Sequence, residues 1–381
     1  MTRIALTRLE AGLPAAWYHD PGHYRRELEA FWYRRWIAVA REEELAHAGD
    51  WRVVRIGTQS LVVVRDETGL RAFHNTCRHR GSVLCTEEQG NFARRRIVCP
   101  YHSWTYDLAG QLVATPRRMP TPDFRLEDFQ LYGVACETWG GFVFVNLAGK
   151  AADPLDVAEL QRQFERYRLA ELRIGKRMVV EVKANWKLLA ENFSECFHCP
   201  PVHPELCRVV TAYRDAGAWG LRGGETSAEY AAGAATLTLD GTARLPPIST
   251  LNGEERRTLY IPAMLPPGLF LNVHPDYVNS HMLTPTGPES VRIVYDWLFE
   301  PERLPLADEI LQHYVALWDI TNRQDSRNCE WQQQGMQSRE FDHGYYVPQE
   351  FDCHRFAQWV REGLAGAQLP GEQPADQAES R

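Results

Sequence analysis

The sequence predicts an α+β protein in two parts: an all-β domain, and an α+β domain in which an antiparallel sheet accompanies a long helix. Three observations support this prediction. Short β-rich runs such as residues 51–56, 61–64 and 141–145, separated by Gly, Asn and Asp, fill the first part. More β-rich runs lie within residues 257–299, and an apolar stripe at helical spacing follows from residue 306. A length of 381 residues is enough for two ordinary domains.

The domain boundaries are predicted where these patterns change. Residues 1–36 have apolar side chains at helical spacing, so we expect a mostly helical segment that packs on the second domain. Residues 37–149 form the all-β domain and residues 150–365 the second domain. The polar, proline-bearing residues 366–381 predict a disordered tail. Residues 211–247 are rich in Gly and Ala with little periodicity, which indicates an excursion that covers a pocket.

The bulk composition excludes several classes of protein. A net charge of −8 and a sequence pI near 5.9 argue against a nucleic-acid-binding protein, which usually carries a basic face. No apolar run is long enough for a signal peptide or a membrane span, so we expect a cytoplasmic protein without a membrane partner. The nine cysteines fit a reducing compartment, where they serve as ligands or buried thiols.

One stretch of the second domain, NWKLLAENFSECFHCPPVH at residues 185–203, carries candidate metal ligands. Asn192, Glu195 and His198 follow at three-residue steps, which predicts that they share one helix face. Two consecutive prolines then predict the end of the helix and a turn that brings His203 near His198. Two histidines with nearby carboxylates suit a ferrous iron site of the two-His-one-carboxylate kind. The alternative is a pair of surface histidines beside a turn.

Two cysteines, Cys196 and Cys199, flank His198 in this stretch. A C-x-x-C redox pair or a zinc site is conceivable for this spacing. Beside an iron site, we expect both to be buried thiols.

The strongest motif lies in the all-β domain: Cys77-Arg-His79 and, after nineteen intervening residues, Cys99-Pro-Tyr-His102. Two sulfur and two nitrogen ligands fit either tetrahedral zinc or a Rieske [2Fe–2S] centre, in which two His replace two Cys on one iron. The tight loops favour the Rieske centre, since zinc motifs usually pair C-x₂-C with H-x₃₋₅-H. Tyr101 occupies the position where some Rieske proteins have a disulfide-forming cysteine, so we expect a centre of the lower-potential kind.

With both motif sets in place, the chain resembles the large subunit of the Rieske non-haem iron oxygenases, the aromatic-ring-hydroxylating dioxygenase family. The resemblance covers nearly the whole chain. It is carried by CRHRG at residues 77–81, CPYHSW at 99–104, NWKLLAENFSECFH with His203, and QDSRNCE at 324–330. It implies a Rieske domain beside a catalytic domain whose sheet wraps around the long helix.

The resemblance also assigns ligands. It implies that Cys77 and Cys99 bind one iron of the cluster and that His79 and His102 bind the other. It further implies that a mononuclear Fe(II) is bound by His198, His203 and Asp325. Residue chemistry alone leaves Asp319 and Glu330 open as the carboxylate ligand, and the match of QD-x₄-E to the family pattern selects Asp325.

Two more residues receive roles by resemblance. Glu195 stands where the family has a bridging acid, often Asp, that links an iron-ligand His to a cluster His of a neighbouring subunit. The alternative is a solvated carboxylate. In having Glu at this position, the chain is similar to the branch of the family that acts on quaternary ammonium compounds. Asn192 is expected to approach the open side of the iron, with an ordinary helix-face amide as the alternative.

The resemblance implies the oxygenase component of a system that uses O₂ and electrons from NAD(P)H through a separate reductase or ferredoxin. We expect a homotrimer that oxidatively N-demethylates a quaternary ammonium compound. The alternative is a mono- or dioxygenase that hydroxylates an aromatic acid. Readings from other classes are a Rieske electron-transfer protein and a zinc-stabilised binding module. Residues 274–281, Tyr213, Trp219 and Trp297 are expected to line the substrate pocket.

Overall fold

The computed structural model describes residues 5–215, 227–260 and 263–366, which form strands and helices in a mixed α+β arrangement. The strands are β1 Glu10–Pro14, β2 Ile37–Arg41, β3 Asp50–Ile56, β4 Gln59–Arg65, β5 Leu70–His74, β6 Gln89–Asn91, β7 Arg96–Val98, β8 Thr105–Asp107, β9 Leu112–Ala114, β10 Gly133–Trp139, β11 Phe142–Asn146, β12 Arg173–Val182, β13 Ser227–Glu229, β14 Thr258–Tyr260, β15 Ala263–Leu265, β16 Leu269–Val273, β17 Val278–Gly287, β18 Ser290–Phe299 and β19 His343–Tyr346. The α-helices are α1 Pro21–Glu27, α2 Ala158–Phe164, α3 Trp186–Ser194, α4 Cys199–Val202, α5 Pro204–Val209, α6 Asp308–Gly335 and α7 Phe351–Ala365.

The smaller of two compact units comprises Arg34–Ile174 and Leu298–Leu304. Its main sheet has seven strands in the order β2-β11-β10-β5-β4-β3-β6, and strands β7, β8 and β9 form a second sheet. All five residues of β11 are buried, as expected for a strand with neighbours on both edges and cover on both faces. The predicted all-β character of this part is therefore confirmed.

The larger unit contains the residues up to Tyr33, Gly175–Trp297, and the residues from Pro305 onward. Its sheet has five strands in the order β12-β18-β17-β16-β15. Helix α6 has 28 residues, so it is roughly 42 Å long, and α3 packs against both α6 and α7. The long helix predicted from the apolar stripe extends through residues 325 and 330, and its side chains Tyr314, Leu317 and Trp318 are buried.

The N-terminal prediction needs a correction. Residues 1–36 were expected to be mostly helical, but Glu10–Pro14 forms a strand that pairs with β19. The partner strand lies more than 300 residues along the chain, so helical spacing in the local sequence carries no signal of it. The predicted tail falls almost wholly outside the described residues, as do residues 216–226 of the predicted excursion. Among the described helices, none has the length and apolarity needed to cross a bilayer.

Helix α3 is fixed by a buried ion pair that sequence reasoning did not find. The ammonium group of Lys187 is fully buried and donates to Glu27, to the side chain of Asn185 and to the carbonyl of Trp17. The other carboxylate oxygen of Glu27 accepts from the indole of Trp186 at 2.8 Å. A buried charge of each sign needs such partners, because an unpaired buried ion is strongly destabilising. The start of α3, which precedes the candidate site, is therefore rigidly held.

The carboxyl group of Glu191, also on α3, gives stability a predicted pH dependence. It is 9% exposed and accepts hydrogen bonds from Tyr18 and Tyr346, both at 2.8 Å. Burial raises the pKa of Glu191 from 4.5 to about 7, against the smaller lowering effect of the two tyrosines and Lys187. The folded state then binds this proton more tightly than the unfolded state. Stability from this group is full below the unfolded pKa and falls by roughly 3 kcal/mol as pH rises through the folded pKa.

We therefore expect the free energy of unfolding of the wild type, relative to Glu191→Gln, to fall between about pH 5 and about pH 8. Glutamine keeps an oxygen acceptor for the tyrosines but does not titrate. Denaturant unfolding at several pH values checks this, with Glu159→Gln at an exposed position of α2 as the matched control. Parallel pH profiles for wild type and Glu191→Gln would contradict it.

Candidate metal centre and substrate pocket

The prediction that Asn192, Glu195 and His198 share one helix face is wrong. Helix α3 ends at Ser194, and Glu195 is extended with φ −139° and ψ 163°. Of the three residues at three-residue spacing, only Asn192 is helical there. The two prolines do not end a helix either. They lie in the first turn of α4, where a missing N–H costs no hydrogen bond. The stretch is a helix, a tight loop and a new helix.

This loop brings Glu195 onto His198. The carboxylate oxygen Oε1 lies 2.5 Å from His198 Nδ1, and Oε2 accepts from the backbone N–H groups of Phe197 and His198. The side chain of Glu195 is only 12% exposed, so the reading of a solvated helix carboxylate does not fit. With Nδ1–H donating to Glu195, the lone pair of His198 Nε2 is directed to the opposite side of the ring.

His203 is held in the same manner by a residue of α6. Its Nδ1 lies 2.7 Å from the side-chain oxygen of Gln324, and its Nε2 lies 2.8 Å from Asp325 Oδ1. His198 Nε2 is 3.4 Å from the same oxygen. One ligand atom from each of His198, His203 and Asp325 therefore lies within 4.8 Å of the others, a group that could hold a metal ion. Asp319, in contrast, pairs with Arg323, and Glu330 accepts from the backbone N–H of Lys183.

The electrostatics of this cluster favour a cation. Burial alone would raise the pKa of Asp325, but hydrogen bonds from His198 and His203 hold it well below its ordinary range, so the carboxylate is ionised. Burial lowers the pKa of His198, but Asp325 and Glu195 more than offset this and raise it to about 10. The ionised carboxylate of Asp325 therefore lies beside two imidazoles and is stabilised by positive charge. A divalent metal displaces the protons and supplies that charge.

Asn192 lies close to the ligand atoms. Its Nδ2 is 3.4 Å from His198 Nε2, the atom that faces Asp325. Asn192 also lines the pocket at this cluster. The structure thus places Asn192 beside the centre, and a role in the reaction stays a prediction.

The expected free thiols of Cys196 and Cys199 are wrong for this structure, in which the two form a disulfide across His198. The loop between α3 and α4 brings their Cα atoms to 4.9 Å, well within bridging distance. The other seven cysteines are free, and Cys85 is buried as expected. Spacing alone could not reveal the pairing, since a C-x-x-C segment in a regular helix or a turn has the same sequence.

In the smaller unit, the two Cys-His loops lie over a shared core. Cys77 and Cys99 are each 2% exposed and pack with Trp104 and Tyr106 in one cluster. The Tyr106 hydroxyl is 3.3 Å from Cys77 Sγ and accepts from the backbone N–H of Arg78 at 3.1 Å. Burial, with a further contribution from the neighbouring Cys99, raises the pKa of Cys77. Burial disfavours the charged thiolate form, so a metal is needed to stabilise two adjacent buried thiolates.

The two histidines complete this set. The rings of His79 and His102 are 4.6 Å apart, and His79 stacks on Trp104 at 4.8 Å. His102 Nδ1 is buried without a hydrogen-bond partner. A buried imidazole nitrogen without a partner is costly unless a metal binds it. The residues present therefore fit a cluster held by two thiolates and two imidazoles.

A pocket that is open to solvent lies at the His198–His203–Asp325 group. Its lining among the described residues is Asn192, Phe193, Glu195, Cys196, His198, Cys199, His203, Leu206, Tyr213, Leu237, Asn272, His274, His281, Trp318, Thr321, Asn322 and Asp325. Of the pocket residues expected from sequence, Tyr213, His274 and His281 are present. Trp297 is fully buried and is not part of the lining, and Trp219 lies outside the described residues.

Sequence reasoning missed most residues that α6 contributes to this pocket. Trp318, Thr321, Asn322 and Asp325 recur at the i, i+3, i+4, i+7 spacing of one helix face. That spacing was a usable signal, because a helix face that carries a metal ligand also carries its neighbours. Gln324 belongs to the motif QDSRNCE at residues 324–330, but its hydrogen bond to His203 depends on tertiary structure.

The fold and the two ligand sets define an iron-dependent oxidoreductase with a Rieske-type domain and a separate mononuclear metal site, and the comparisons identify its family. Residues 169–366 match the family model for the ring hydroxylating alpha subunit (catalytic domain), and residues 35–125 match the Rieske [2Fe-2S] domain. The chain belongs to the Rieske non-haem iron oxygenases and uses a [2Fe–2S] cluster and a mononuclear iron. The catalytic-domain match excludes a pure electron carrier, and the Rieske match excludes a zinc module.

Individual relatives are similar to this chain over most of its length. The chain is 30% identical to the glycine betaine monooxygenase oxygenase subunit of Chromohalobacter salexigens, over 95% of this chain and 88% of the relative. It is 31% identical to the carnitine monooxygenase oxygenase subunit of Escherichia coli K12, over 86% and 84%. Its fold is similar to that of a quaternary ammonium Rieske monooxygenase, CntA, in complex with L-carnitine, with a TM-score of 0.73, 23% identity and coverage of 93% and 96%.

Proposed function

We propose that this protein is the oxygenase component of a system that oxidatively N-demethylates a quaternary ammonium compound. The observation that carries this proposal is the pocket beside the His198–His203–Asp325 group. Its described lining includes the aromatic rings of Phe193, Tyr213 and Trp318 and two acidic side chains, with no Lys or Arg. Aromatic faces and carboxylates attract a cation that cannot donate hydrogen bonds. The relatives named for glycine betaine and carnitine support the same substrate class.

His198, His203 and Asp325 are proposed to hold the mononuclear iron, and Cys77, His79, Cys99 and His102 the cluster. When bound, the iron groups supply O₂ activation and one-electron transfer, with open coordination positions at the two-His-one-carboxylate centre. Glu195 and Gln324 fix the rings of His198 and His203 through their Nδ1 atoms. Asn192 lies beside the ligand atoms, where its amide is positioned to orient what enters the pocket.

The reaction balances as a monooxygenation. One oxygen atom of O₂ enters a C–H bond of the N-methyl group, and the other leaves as water with two electrons and two protons. The resulting carbinolamine breaks its C–N bond, giving formaldehyde, a tertiary amine and one proton. The aromatic rings hold the ammonium group beside the candidate ligand atoms.

The electrons are proposed to arrive from a separate reductase or ferredoxin. We place the chain in a head-to-tail homotrimer, in which Glu195 links His198 to a cluster histidine of the neighbouring subunit. The contact of Glu195 with His198 Nδ1 supplies one end of that path. Light scattering tests the assembly, and a mass near that of the 43.7 kDa chain alone would contradict it.

Product analysis tests the activity. The protein is reduced chemically under argon and exposed to O₂ with betaines, carnitine and choline, alongside aromatic carboxylates. We expect formaldehyde and a demethylated amine from at least one quaternary ammonium compound, in an amount close to the protein concentration. A hydroxylated aromatic ring, without any product from the ammonium compounds, would replace the proposal with aromatic ring hydroxylation.

A further inference from the structure

Two histidines on the sheet side of the pocket have the same environment but different hydrogen bonding. Asn272 and His274 point to one face of the β16 segment, and His281 lies on the paired strand β17. Trp318 of α6 packs against both imidazoles, with ring centroids 5.8 Å from His274 and 6.0 Å from His281. Both histidines line the pocket and are almost fully buried, so a comparison of their partners is informative.

The imidazole of His281 is satisfied within the protein. Its Nε2 is 2.8 Å from Asn279 Oδ1, and Asn272 Nδ2 lies 3.4 Å from the same nitrogen. His274 differs, because its Nδ1 is 3.2 Å from the Tyr230 hydroxyl but its Nε2 has no hydrogen-bond partner. His274 is 0% exposed, so bulk water does not compensate this nitrogen. A buried polar atom without a partner in a pocket wall indicates a ligand atom that binds there.

The hydrogen bond to Tyr230 decides what His274 offers. A phenol is a good donor, so we assign its O–H to Nδ1, which puts the imidazole proton on Nε2. Burial lowers the pKa of His274 to about 3, so the ring is neutral and carries a single N–H. Nε2–H is therefore a neutral donor, and its partner is an acceptor such as an oxygen atom.

Resting on the proposed function, we infer that His274 Nε2–H binds an oxygen atom on the chain of the quaternary ammonium substrate. The enzyme then selects compounds with a hydroxyl or carboxylate oxygen over analogues without one. A site built to bond such an oxygen discriminates strongly, because the analogue leaves the buried donor unpaired. The ammonium group and the oxygen are thus recognised by different parts of one pocket.

Calorimetric titration of the holoenzyme with matched pairs of compounds tests this inference. One pair is choline and ethyltrimethylammonium, which differ by the hydroxyl, and the other is glycine betaine and isobutyltrimethylammonium, in which two methyl groups replace the carboxylate oxygens. We expect the wild type to bind the oxygen-bearing member of at least one pair about 10- to 100-fold more tightly. The pair that shows the preference identifies whether a hydroxyl or a carboxylate is bound.

The variants locate this preference. His274→Phe is expected to reduce the ratio of dissociation constants to near unity, and His274→Gln, which places an amide N–H near the same position, to restore part of it. His281→Phe is the matched control, in which affinity falls for both members and the ratio stays. Tyr230→Phe is expected to lower the ratio while His274 is intact, which keeps the test valid if His274→Phe does not fold. The visible spectrum of the cluster checks folding.

Three results would overturn the inference. A wild type that binds both members of each pair equally has no oxygen subsite. A ratio unchanged in His274→Phe places the subsite elsewhere, and in both cases binding of ammonium compounds leaves the proposed function standing. A wild type that binds none of the four compounds, and that releases no formaldehyde from any quaternary ammonium compound in the product assay, removes the proposed function, and the inference with it.

Discussion

Asp325→Ala is expected to remove the mononuclear iron and abolish product formation while the Rieske cluster stays. In the structure, Asp325 Oδ1 lies 2.8 Å from His203 Nε2 and 3.4 Å from His198 Nε2, so it is the third member of the proposed ligand set. Two histidines alone hold ferrous iron weakly, since the carboxylate supplies the anionic ligand. Iron analysis should fall from about three to about two per chain, with an unchanged cluster spectrum.

Asp319→Ala is the matched control for this variant. Asp319 lies on the same helix but pairs with Arg323 in a surface contact, so its loss is expected to leave iron content and turnover unchanged. An iron content near three in Asp325→Ala, or its loss in Asp319→Ala, would show that the carboxylate ligand was wrongly assigned.

Glu195→Ala is expected to give the second large effect, a loss of turnover of about 10- to 100-fold with the cluster spectrum intact. The carboxylate of Glu195 bonds His198 Nδ1 and two backbone N–H groups of the loop that carries His198. Its removal frees the ring of His198 and interrupts the proposed path to a cluster histidine. Single-turnover assays with a chemically reduced cluster measure the rate at which the cluster is reoxidised in the presence of substrate and O₂.

Two further measurements separate the roles of Glu195. Retention of iron with slow reoxidation of the cluster assigns Glu195 to electron transfer, whereas loss of iron assigns it to the positioning of His198. Glu330→Gln, which removes a carboxylate elsewhere on the second domain but keeps an acceptor for the N–H of Lys183, is the control. Normal turnover in Glu195→Ala would exclude both roles.

The predictions that held from sequence concern local patterns. The α+β class, the strand runs of the first domain and the long helix through residue 325 follow from alternation and helical spacing, because these periods are properties of the elements themselves. The oxygenase class followed from short motifs whose ligands lie close along the chain. Its resemblance to a known family was confirmed by the family matches.

The errors have two origins: contacts between side chains near residue 195 that override helical spacing, and the pairing of residues 10–14 with a distant strand. Glu195 and His198 were placed on one helix face with Asn192, but the chain leaves the helix at Ser194 so that Glu195 can bond the loop that follows. The thiols of Cys196 and Cys199 were expected to be free, and the loop pairs them. Residues 10–14 were expected to be helical, and a strand more than 300 residues away pairs with them.

The sequence by itself determined which side chains are available as ligands: two Cys-His loops in one domain, and two histidines five residues apart in the other. It left three carboxylates open on chemical grounds. Tertiary structure favours one of them, because Asp325 contacts His203 across 122 residues of chain while Asp319 and Glu330 are engaged elsewhere. It also decided the substrate pocket, which joins strands β16 and β17 to one face of α6 and leaves His274 with an unpaired nitrogen. Such contacts depend on how elements pack, and a local sequence pattern does not contain that information.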